Sequence, residues 1–276
     1  MAKTKKKENG NIKRSILAIL ISLVHIIPLY ILIGVALKKP DDLSSRWILP
    51  NYLYLDNFKV AIEQGNILKG LGSSSIITFT SIILITIIGA MAAYPLARNA
   101  SKTNMKIKAF IIGIMMVPPL SIVVPLYSMM ASLQGTSTYW GIIVILVAFQ
   151  LPMSVFLYYN FIRSIPIDLD EAASIDGCGP LRTFFGIIMP QLKPVTASVV
   201  ILTGVSCWND YQFSLYMLQS PNIKTVTQTI GSFFSQNSSN MNAAAATALL
   251  GILPILVLFI FLQKYFIKGM IDSAIK

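Results

Sequence analysis

The stretch YWGIIVILVAFQLPMSVFLYYNF, residues 139–161, decides the fold class. It runs for 23 residues without a single Asp, Glu, Lys or Arg. About 20 apolar residues are enough for a helix to cross the hydrocarbon core of a bilayer. Lipid offers no hydrogen-bond partners to an open backbone, so a spanning segment of this kind must be helical. The stretch therefore predicts a transmembrane helix.

Five further runs have the same character and predict an all-α integral membrane bundle of six helices. The chain is 55% apolar and 12% charged, whereas soluble domains carry about 25% charged residues, so an ordinary soluble enzyme is excluded. We expect a single transmembrane domain over residues 1–276. Pro118, Pro119 and Pro125 fall inside one run and predict that it is bent. The five runs are Ile16–Leu37, Ile76–Leu96, Ile107–Met130, Val195–Leu218 and Ala243–Phe266.

Basic residues are distributed unevenly between the two sides of the predicted bundle. Of the 22 Lys and Arg residues, 16 fall at the termini and in the second and fourth connections. Cytoplasmic loops carry the excess of positive charge, so both termini are predicted to be cytoplasmic. The first run is about twice as long as the apolar core of a signal peptide, which favours an anchored helix over a cleaved one. The net charge of +11 does not indicate nucleic-acid binding, because no basic helix or aromatic sheet motif accompanies it.

The fourth connection, between residues 162 and 194, reads as two short helices rather than a polar loop. Pro166 suits a helix start, and Asp168, Asp170 and Glu171 place negative charge in the first turn, where the helix dipole favours it. The spacing of Asp168 and Glu171 is compatible with a capping box. An amphipathic helix lying on the membrane is the alternative, but such helices are rich in Lys and Arg. A contact with a protein partner fits this composition better.

The same connection contains signals that end both short helices. The triplet Gly177-Cys178-Gly179 ends the first helix, and Gly177 is suited to the positive φ of a sharp turn. A second helix is predicted over Leu181–Met189 and is ended by Pro190. Neither helix is long enough to cross a bilayer. We expect a pair of helices over about residues 164–190, outside the membrane.

This connection resembles the EAA motif of bacterial ATP-binding-cassette importer permeases. The family pattern reads E-A-A, three residues, G, nine residues, I, one residue, L-P. Here Glu171-Ala172-Ala173, Gly177 and Ile187-Ile188-Met189-Pro190 follow that spacing, and only Met189 departs from it, in place of leucine. The match spans 20 residues, which makes it much more specific than a short glycine pattern.

Other stretches resemble the carbohydrate branch of that family, of the kind in which a shorter maltose-type permease pairs with a longer sister. The resemblance runs from about residue 90 to the C-terminus. The stretches are Ala93–Arg98, Met116–Pro119 with Pro125–Tyr127, Leu151-Pro152, Asp168–Asp170, Trp208–Asp210 and Gln263–Phe266.

The resemblance implies that the EAA helix is a coupling helix, which docks on a cytoplasmic ATPase subunit and carries its closing motion to the membrane bundle. Glu171 would be the charged contact, with Asp168 and Asp170 around it. Ala172 and Ala173 would permit close approach, and Gly177 would let the chain turn. The alternative for Glu171 is a simple interaction with the helix dipole.

The resemblance also implies the partners and the transported substrate. They are a sister permease, two ATPase subunits, an external sugar-binding protein and a sugar or oligosaccharide, with a raffinose-like or multiple-sugar oligosaccharide as the best expectation. The chain itself contains no nucleotide-binding motif, since Leu71 and Gly72 stand where such a loop needs Lys and Ser or Thr. ATP and Mg²⁺ are therefore expected only in the partner ATPase. No cofactor, metal site or catalytic residue is predicted in this chain, which is expected to lie in the bacterial plasma membrane.

Two titratable residues inside the predicted spans, Asp210 and His25, are candidate functional groups, as ionisable residues in membranes usually are. Carboxylate, amide and aromatic groups suit sugar recognition, so Trp208, Asn209, Asp210 and Tyr211 form a candidate substrate path. Alternatively, Asp210 marks the end of a helix or binds backbone groups at a break. The ring of His25 is three residues before Pro28 and is expected to bind a carbonyl that this proline frees.

Four rival functions remain. A secondary carrier would need ion-coupling groups and usually an internal repeat, and no repeat is visible. A channel would need rings of carbonyl groups or charges, which one chain does not reveal. An intramembrane enzyme would need paired catalytic groups, and no such motif is present. Importer permeases for peptides or polyamines share the EAA motif and are the nearest alternative.

Overall fold

The protein is described here from a computed structural model, which covers residues 2–235 and 238–274 and the side chains of residues 14–234 and 240–263. The side chains of Lys264–Phe266, quoted above for the resemblance, lie outside the described residues, as do the basic side chains before Arg14. The helices in the first half of the chain are α1 (Ala2–Ala36), α2 (Asp56–Glu63), α3 (Ile67–Arg98), α4 (Lys102–Ile114), a 3₁₀ turn (Pro119–Ile122), α5 (Val123–Ser132) and α6 (Tyr139–Ile162).

The second half of the chain is also helical, apart from a pair of two-residue antiparallel strands, β1 (Phe234–Ser235) and β2 (Ser238–Ser239). Its helices are α7 (Asp168–Ile175), α8 (Pro180–Thr183), a π turn (Phe184–Ile188), α9 (Met189–Gln191), α10 (Lys193–Trp208), α11 (Gln212–Met217), α12 (Val226–Ser232) and α13 (Met241–Ala274).

Four helical segments are long and apolar enough to cross a membrane: Arg14–Ala36, Ile67–Arg98, Tyr139–Ile162 and Met241–Gln263. Two bent helix pairs pass the same test when each pair is taken together. The described residues therefore provide four to six spans, and the predicted all-α membrane fold is confirmed. The helix Tyr139–Ile162 coincides with the predicted run to within one residue.

The predicted bend in the third run is present. Helix α4 ends at Ile114, and the chain turns by 92° before continuing through Pro119–Ser132. Pro118 has extended backbone angles, φ −64° and ψ 125°, which the following proline favours. Two adjacent prolines thus interrupt the helix where the sequence indicated.

The fifth run, predicted as a span over Val195–Leu218, is not one continuous helix, and it is interrupted at Asp210, as the alternative interpretation of that residue held. Helix α10 ends at Trp208, and α11 begins only at Gln212. The carboxylate of Asp210 binds backbone N–H groups of the new helix. A polar group that satisfies a helix start in this way stabilises a break, which hydropathy alone does not detect.

The second short helix of the fourth connection is longer than predicted. Its helical turns run from Pro180 to Gln191, so Pro190 does not end it, and the bend of 78° toward α10 comes after Gln191. The π turn Phe184–Ile188 precedes the proline, and the amide of Met189 donates to the carbonyl of Phe184. This wide turn lies where Pro190 removes an N–H from the usual helical pattern.

Contacts divide the chain into two compact units, Met1–Ile67 with Ile230–Leu250 and Leu68–Thr229 with Gly251–Lys276. A single domain over the whole chain stays a prediction. In the first unit, the carbonyl groups at the end of α1 are satisfied by distant amides. The Nδ2 of Asn57 donates to the carbonyls of Ala36 and Lys38 (2.8 and 2.7 Å). The Nδ2 of Asn242 donates to the carbonyls of Val35 and Lys38 (both 3.0 Å).

The second unit contains the main apolar core and the helices that position the candidate site. Helix α6 packs against α4, α10 and α11. A close approach between α3 and α6 occurs at Gly89, where an added Cβ would lie 2.2 Å from the Oγ of Ser154. That hydroxyl donates to the carbonyl of Ile85 at 3.2 Å. Small residues allow membrane helices to pack this closely.

Candidate functional site

Helix α7 contains the predicted coupling residues and presents them on two different sides. Asp168, Glu171 and Ala172 are exposed, whereas Ala173 is 2% exposed and packs inside the protein. The exposed side also presents Ile175, which is 86% exposed. Two carboxylates and one exposed large apolar side chain therefore lie on the same side of this short helix.

The predicted capping box at the start of α7 is absent, so that prediction was wrong. Ile167 is the residue before the helix, and no side chain caps the start. The amides of Asp170 and Glu171 both donate to the carbonyl of Ile167, at 2.8 and 3.1 Å. Asp168 is already the first helical residue, one position too late to act as the N-cap. The acids of the first turn still complement the helix dipole.

The end of α7 is a Schellman turn that depends on Gly177. The amide of Gly177 donates to the carbonyl of Ser174 at 3.1 Å, and the amide of Cys178 donates to the carbonyl of Ala173 at 2.9 Å. Gly177 has φ of +77°, a conformation that side chains with a Cβ disfavour. The predicted sharp turn at this glycine is therefore confirmed.

Asp170 is held within the chain and faces away from the exposed side of α7. Its Oδ2 lies 2.7 Å from Nη2 of Arg98, the last residue of α3. The hydroxyl of Tyr94, one turn earlier on α3, donates to the other carboxylate oxygen. The side chains of Arg98 and Asp170 are only 14% and 16% exposed. Asp170 therefore connects α7 to α3 and does not join Glu171 in the exposed group.

Arg98 also holds the segment between α6 and α7. Its Nη1 donates to the carbonyls of Ile165 (2.9 Å) and Ile162 (3.3 Å), and its Nη2 donates to Pro166 at 3.5 Å. Carbonyl groups at a helix end lack intrahelical partners and attract a cation. One guanidinium thus contacts the end of α6 and the first turn of α7.

Arg98 and Tyr94 were not predicted as site residues. The sequence analysis quoted them only within the Ala93–Arg98 stretch of the resemblance. The sequence does carry one signal, an arginine at the end of an apolar span, but the partner Asp170 lies 72 residues away along the chain. The ring of Tyr94 also contacts that of Phe184, with centroids 5.3 Å apart. Helix α3 therefore contacts both α7 and the helical segment that follows it.

Among the candidate substrate-path residues, Trp208 is buried, Asp210 is half-buried, and Asn209 and Tyr211 are exposed. Trp208 is 4% exposed, and its Nε1 donates to the carbonyl of Gly251 at 3.0 Å. The carboxylate of Asp210 accepts hydrogen bonds from the amides of Phe213 (3.2 Å) and Ser214 (2.8 Å), and from Oγ of Ser214 (2.7 Å). Asp210 therefore supports the break between α10 and α11, which was the alternative interpretation of this residue, whereas Trp208 connects the end of α10 to α13.

Asn209 and Tyr211, on either side of Asp210, are exposed. Side chains of α12 hold the backbone around these two residues by hydrogen bonds. The Oγ1 of Thr227 donates to the carbonyl of Asp210 at 2.6 Å, and Nε2 of Gln228 donates to the carbonyls of Ser214 and Leu218 at 3.0 and 2.9 Å. The break thus presents one amide and one phenol on a well-bonded backbone.

The prediction for His25 was wrong about which carbonyl group its ring binds. Pro28 lacks an N–H and frees the carbonyl four residues earlier, that of Val24. The Nδ1 of His25 instead lies 2.7 Å from the carbonyl of Ile21, so the ring nitrogen carries the proton toward the preceding turn of its own helix. Within the described residues, no group of three or more His, Cys, Asp and Glu side chains is arranged to hold a metal ion.

Comparison with known proteins places this architecture in a family. Residues 85–272 match the family described as the inner membrane component of binding-protein-dependent transport systems. The chain belongs to this family. Its membership confirms the predicted transport permease with several membrane spans. The matched region includes Tyr94, Arg98, the whole of α7 and the break at Asp210.

Relatives extend the match to nearly the full length of the chain. The melibiose/raffinose/stachyose import permease MelC of Bacillus subtilis is 44% identical, over 95% of this chain and 95% of that protein. The multiple sugar-binding transport system permease MsmG of Streptococcus mutans is 32% identical, over 91% and 92%. The resemblance to the carbohydrate branch is therefore confirmed.

Solved structures share the fold of this permease. It aligns with a chain of a bacterial ABC transporter that imports the acidic polysaccharide alginate, with a TM-score of 0.76, 18% sequence identity and coverage of 93% of this chain and 96% of that chain. The MetNI methionine ABC transporter aligns with a TM-score of 0.60 and 17% identity, over 72% and 93%. At these identities the likeness establishes the fold alone.

Proposed function

We propose that this permease forms part of an importer for oligosaccharides, with an α-galactoside of the melibiose, raffinose and stachyose class as the substrate. The observation that carries the proposal is the 44% identity over 95% of both chains with a permease named for those three sugars. This substrate class agrees with the raffinose-like sugar expected from the sequence. Import would proceed by alternating access, in which ATP-driven closure opens the cavity outward.

The exposed side of α7 is the proposed docking surface for a cytoplasmic ATPase. It combines the carboxylates of Asp168 and Glu171 with the small side chain of Ala172 and the exposed Ile175. Carboxylates of this kind suit Arg or Lys on a partner, and a small residue allows the partner to approach closely. Ala173 is buried, so its small size serves packing within the permease and not the docking contact.

Arg98 is the proposed mechanical link between this surface and the membrane helices. A force on α7 is transmitted through Asp170 to the last residue of α3, because the ion pair and the Tyr94 hydrogen bond join the two helices. The same guanidinium reaches the carbonyls at the end of α6. This arrangement would make α3, α6 and α7 respond together to movement of the ATPase.

The remaining assembly follows the proposed importer mechanism. ATP and Mg²⁺ would bind to two ATPase subunits, a sister permease would complete the translocation path, and an external binding protein would deliver the sugar. The end of the bundle that includes α7 would face the cytoplasm, in agreement with the distribution of Lys and Arg.

Of the four candidate substrate-path residues predicted from the sequence, Asn209 and Tyr211 are the two that we propose line the path. Their side chains are exposed, and an amide and a phenol suit hydrogen bonding and stacking with a sugar. Asp210 would act indirectly, by holding the break that presents these two side chains, and Trp208 by connecting the end of α10 to α13.

Purification of the permease with its ATPase, its sister permease and its binding protein tests the substrate class. We expect raffinose or melibiose on the binding protein to stimulate ATP hydrolysis in proteoliposomes. Stimulation by a loaded peptide or polyamine, with none by these sugars, would reject the proposed substrate and favour the alternative importer class.

A further inference from the structure

A shallow surface cleft between α4 and α6 is lined mostly by apolar side chains, with one basic residue among them. Lys108 and Tyr159 line the part of the cleft nearest to the start of α4 and the end of α6, which is called its mouth. The buried floor is formed by Leu96 and Val155, which are 9% and 5% exposed. The apolar residues that line the cleft are Leu96, Ile111, Ile112, Val155 and Phe156.

Two cations surround the ring of Tyr159 at this mouth. The Nζ of Lys108 lies 4.3 Å from the ring centroid, and the Cζ of Arg163 lies 5.8 Å from it. The Nη1 of Arg163 also lies 3.4 Å from the Tyr159 hydroxyl. Among the described side chains, neither Lys108 nor Arg163 forms an ion pair with an acid. Two cations at one aromatic ring without an anion favour binding of an external negative charge.

The position of the mouth fits the headgroup level of a bilayer. Tyr159 lies in the last turn of α6, which ends at Ile162, and Lys108 lies in the second turn of α4. Tyrosines concentrate at membrane interfaces, and basic pockets between membrane helices hold anionic lipid headgroups. The apolar residues Ile111, Ile112 and Phe156 lie about one helical turn further along α4 and α6 from this level.

We propose that one anionic phospholipid binds at this cleft, with its phosphate at Lys108 and Arg163 and an acyl chain on the surface, along the exposed side chains of Ile112 and Phe156. The phosphate supplies the negative charge that the two cations lack, and the acyl chain covers Ile111, Ile112 and Phe156. Neither cation contacts α7 or the break at Asp210 in the described structure. The lipid site therefore does not depend on the proposed transport substrate.

The test is a titration of phosphatidylglycerol and phosphatidylcholine against the purified importer complex, with bound lipid counted by native mass spectrometry. We expect tighter binding of phosphatidylglycerol. Lys108→Gln and Arg163→Gln should each weaken that binding about fivefold, since a basic residue near a charged membrane surface contributes about this much. Lys108→Arg, which keeps the charge, should preserve it.

Lys102→Gln is the matched control, because Lys102 begins the same helix but does not line the cleft. We expect it to leave phosphatidylglycerol binding nearly unchanged. Inorganic phosphate should fail to compete, because the apolar walls contribute only to a ligand with an acyl chain. Equal affinity for the two lipids, equal weakening by Lys102→Gln and Lys108→Gln, or coverage of the cleft by the sister permease in the complex would each overturn the proposal.

Discussion

The guanidinium of Arg98 lies 2.7 Å from the carboxylate of Asp170 and joins the end of α3 to the first turn of α7. The two residues lie on either side of the α4–α6 segment in sequence, and both side chains are largely shielded from solvent. A shielded pair of this kind is costly to break, since the remaining charge loses its partner. The position of α7 therefore depends on a contact that lies inside the permease.

Asp170→Asn should lower both the stability of the permease and its transport. Loss of one partner of a buried ion pair costs on the order of 3 kcal/mol. The double variant Arg98→Met/Asp170→Leu leaves no unpaired charge, but it also removes the hydrogen bonds from Arg98 to the carbonyls that end α6, so it should be destabilised by a similar amount. Thermal unfolding of the purified complex measures the loss of stability in each variant.

Transport separates the mechanical role of the pair from its contribution to stability. We expect the double variant to assemble yet to hydrolyse ATP with little sugar uptake. The exposed Lys193→Gln serves as a control with normal uptake. Full uptake by the double variant would show that the link is dispensable for coupling.

Gly177→Ala should lower the stability of the permease, whereas Gly179→Ala should not. Nothing lies within 4 Å of a Cβ added at either glycine, but only Gly177 has a positive φ. The alanine at 177 should therefore cost about 1 kcal/mol through backbone strain alone. Gly177→Asn should recover part of the loss, since asparagine tolerates this conformation better. Unfolding temperatures and uptake rates of the three variants check this order.

Asp210 is expected to act through the break and not through the sugar. Asp210→Ala removes the acceptor of two amides and one hydroxyl, so it should destabilise the complex by about 1–2 kcal/mol. Asp210→Asn keeps one acceptor oxygen and should lose less. We expect stability and maximal uptake to fall together, with KM for the sugar nearly constant. A large rise in KM in Asp210→Asn at normal stability would instead assign the carboxylate to the substrate path.

The contact between α3 and α6 at Gly89 should not accept a larger side chain. The Cβ of Gly89→Ala would lie 2.2 Å from Ser154 Oγ, and overpacking of this kind costs about 1–3 kcal/mol. Gly113→Ala is the matched control, because nothing lies within 4 Å of its Cβ on α4. Ser154→Gly should restore part of the stability of Gly89→Ala. Equal melting temperatures for the two alanine variants would contradict the close approach.

The sequence predicted the features that are determined locally. The charge-free stretch at 139–161 gave the helix Tyr139–Ile162, the proline pair indicated the bend after α4, and Gly177 indicated the end of α7. Each depends on residues within a few positions of the feature. The EAA spacing likewise identified the family without any knowledge of contacts.

The features that the sequence missed depend on contacts between distant residues. The Arg98–Asp170 pair joins positions 72 residues apart, and no periodicity indicates such a partner. The break at Asn209–Tyr211 was the alternative interpretation of Asp210, but the hydrogen bonds from Thr227 and Gln228 that hold the backbone there were not predicted. Hydropathy detects the apolar run in which the break lies, but it does not detect the hydrogen bonds that interrupt it.

The central claim, that the exposed side of α7 receives the movement of an ATPase, is tested most directly with Glu171→Ala. Sugar uptake and ATP hydrolysis are measured in the same proteoliposomes, with Asp176→Ala as a control that removes an exposed carboxylate just after the helix. A hydrogen bond to a charged group contributes about 1.5–3 kcal/mol, so Glu171→Ala should reduce uptake per ATP roughly tenfold to a hundredfold while the complex still assembles. Unchanged uptake in Glu171→Ala, or an equal loss in Asp176→Ala, would contradict the account.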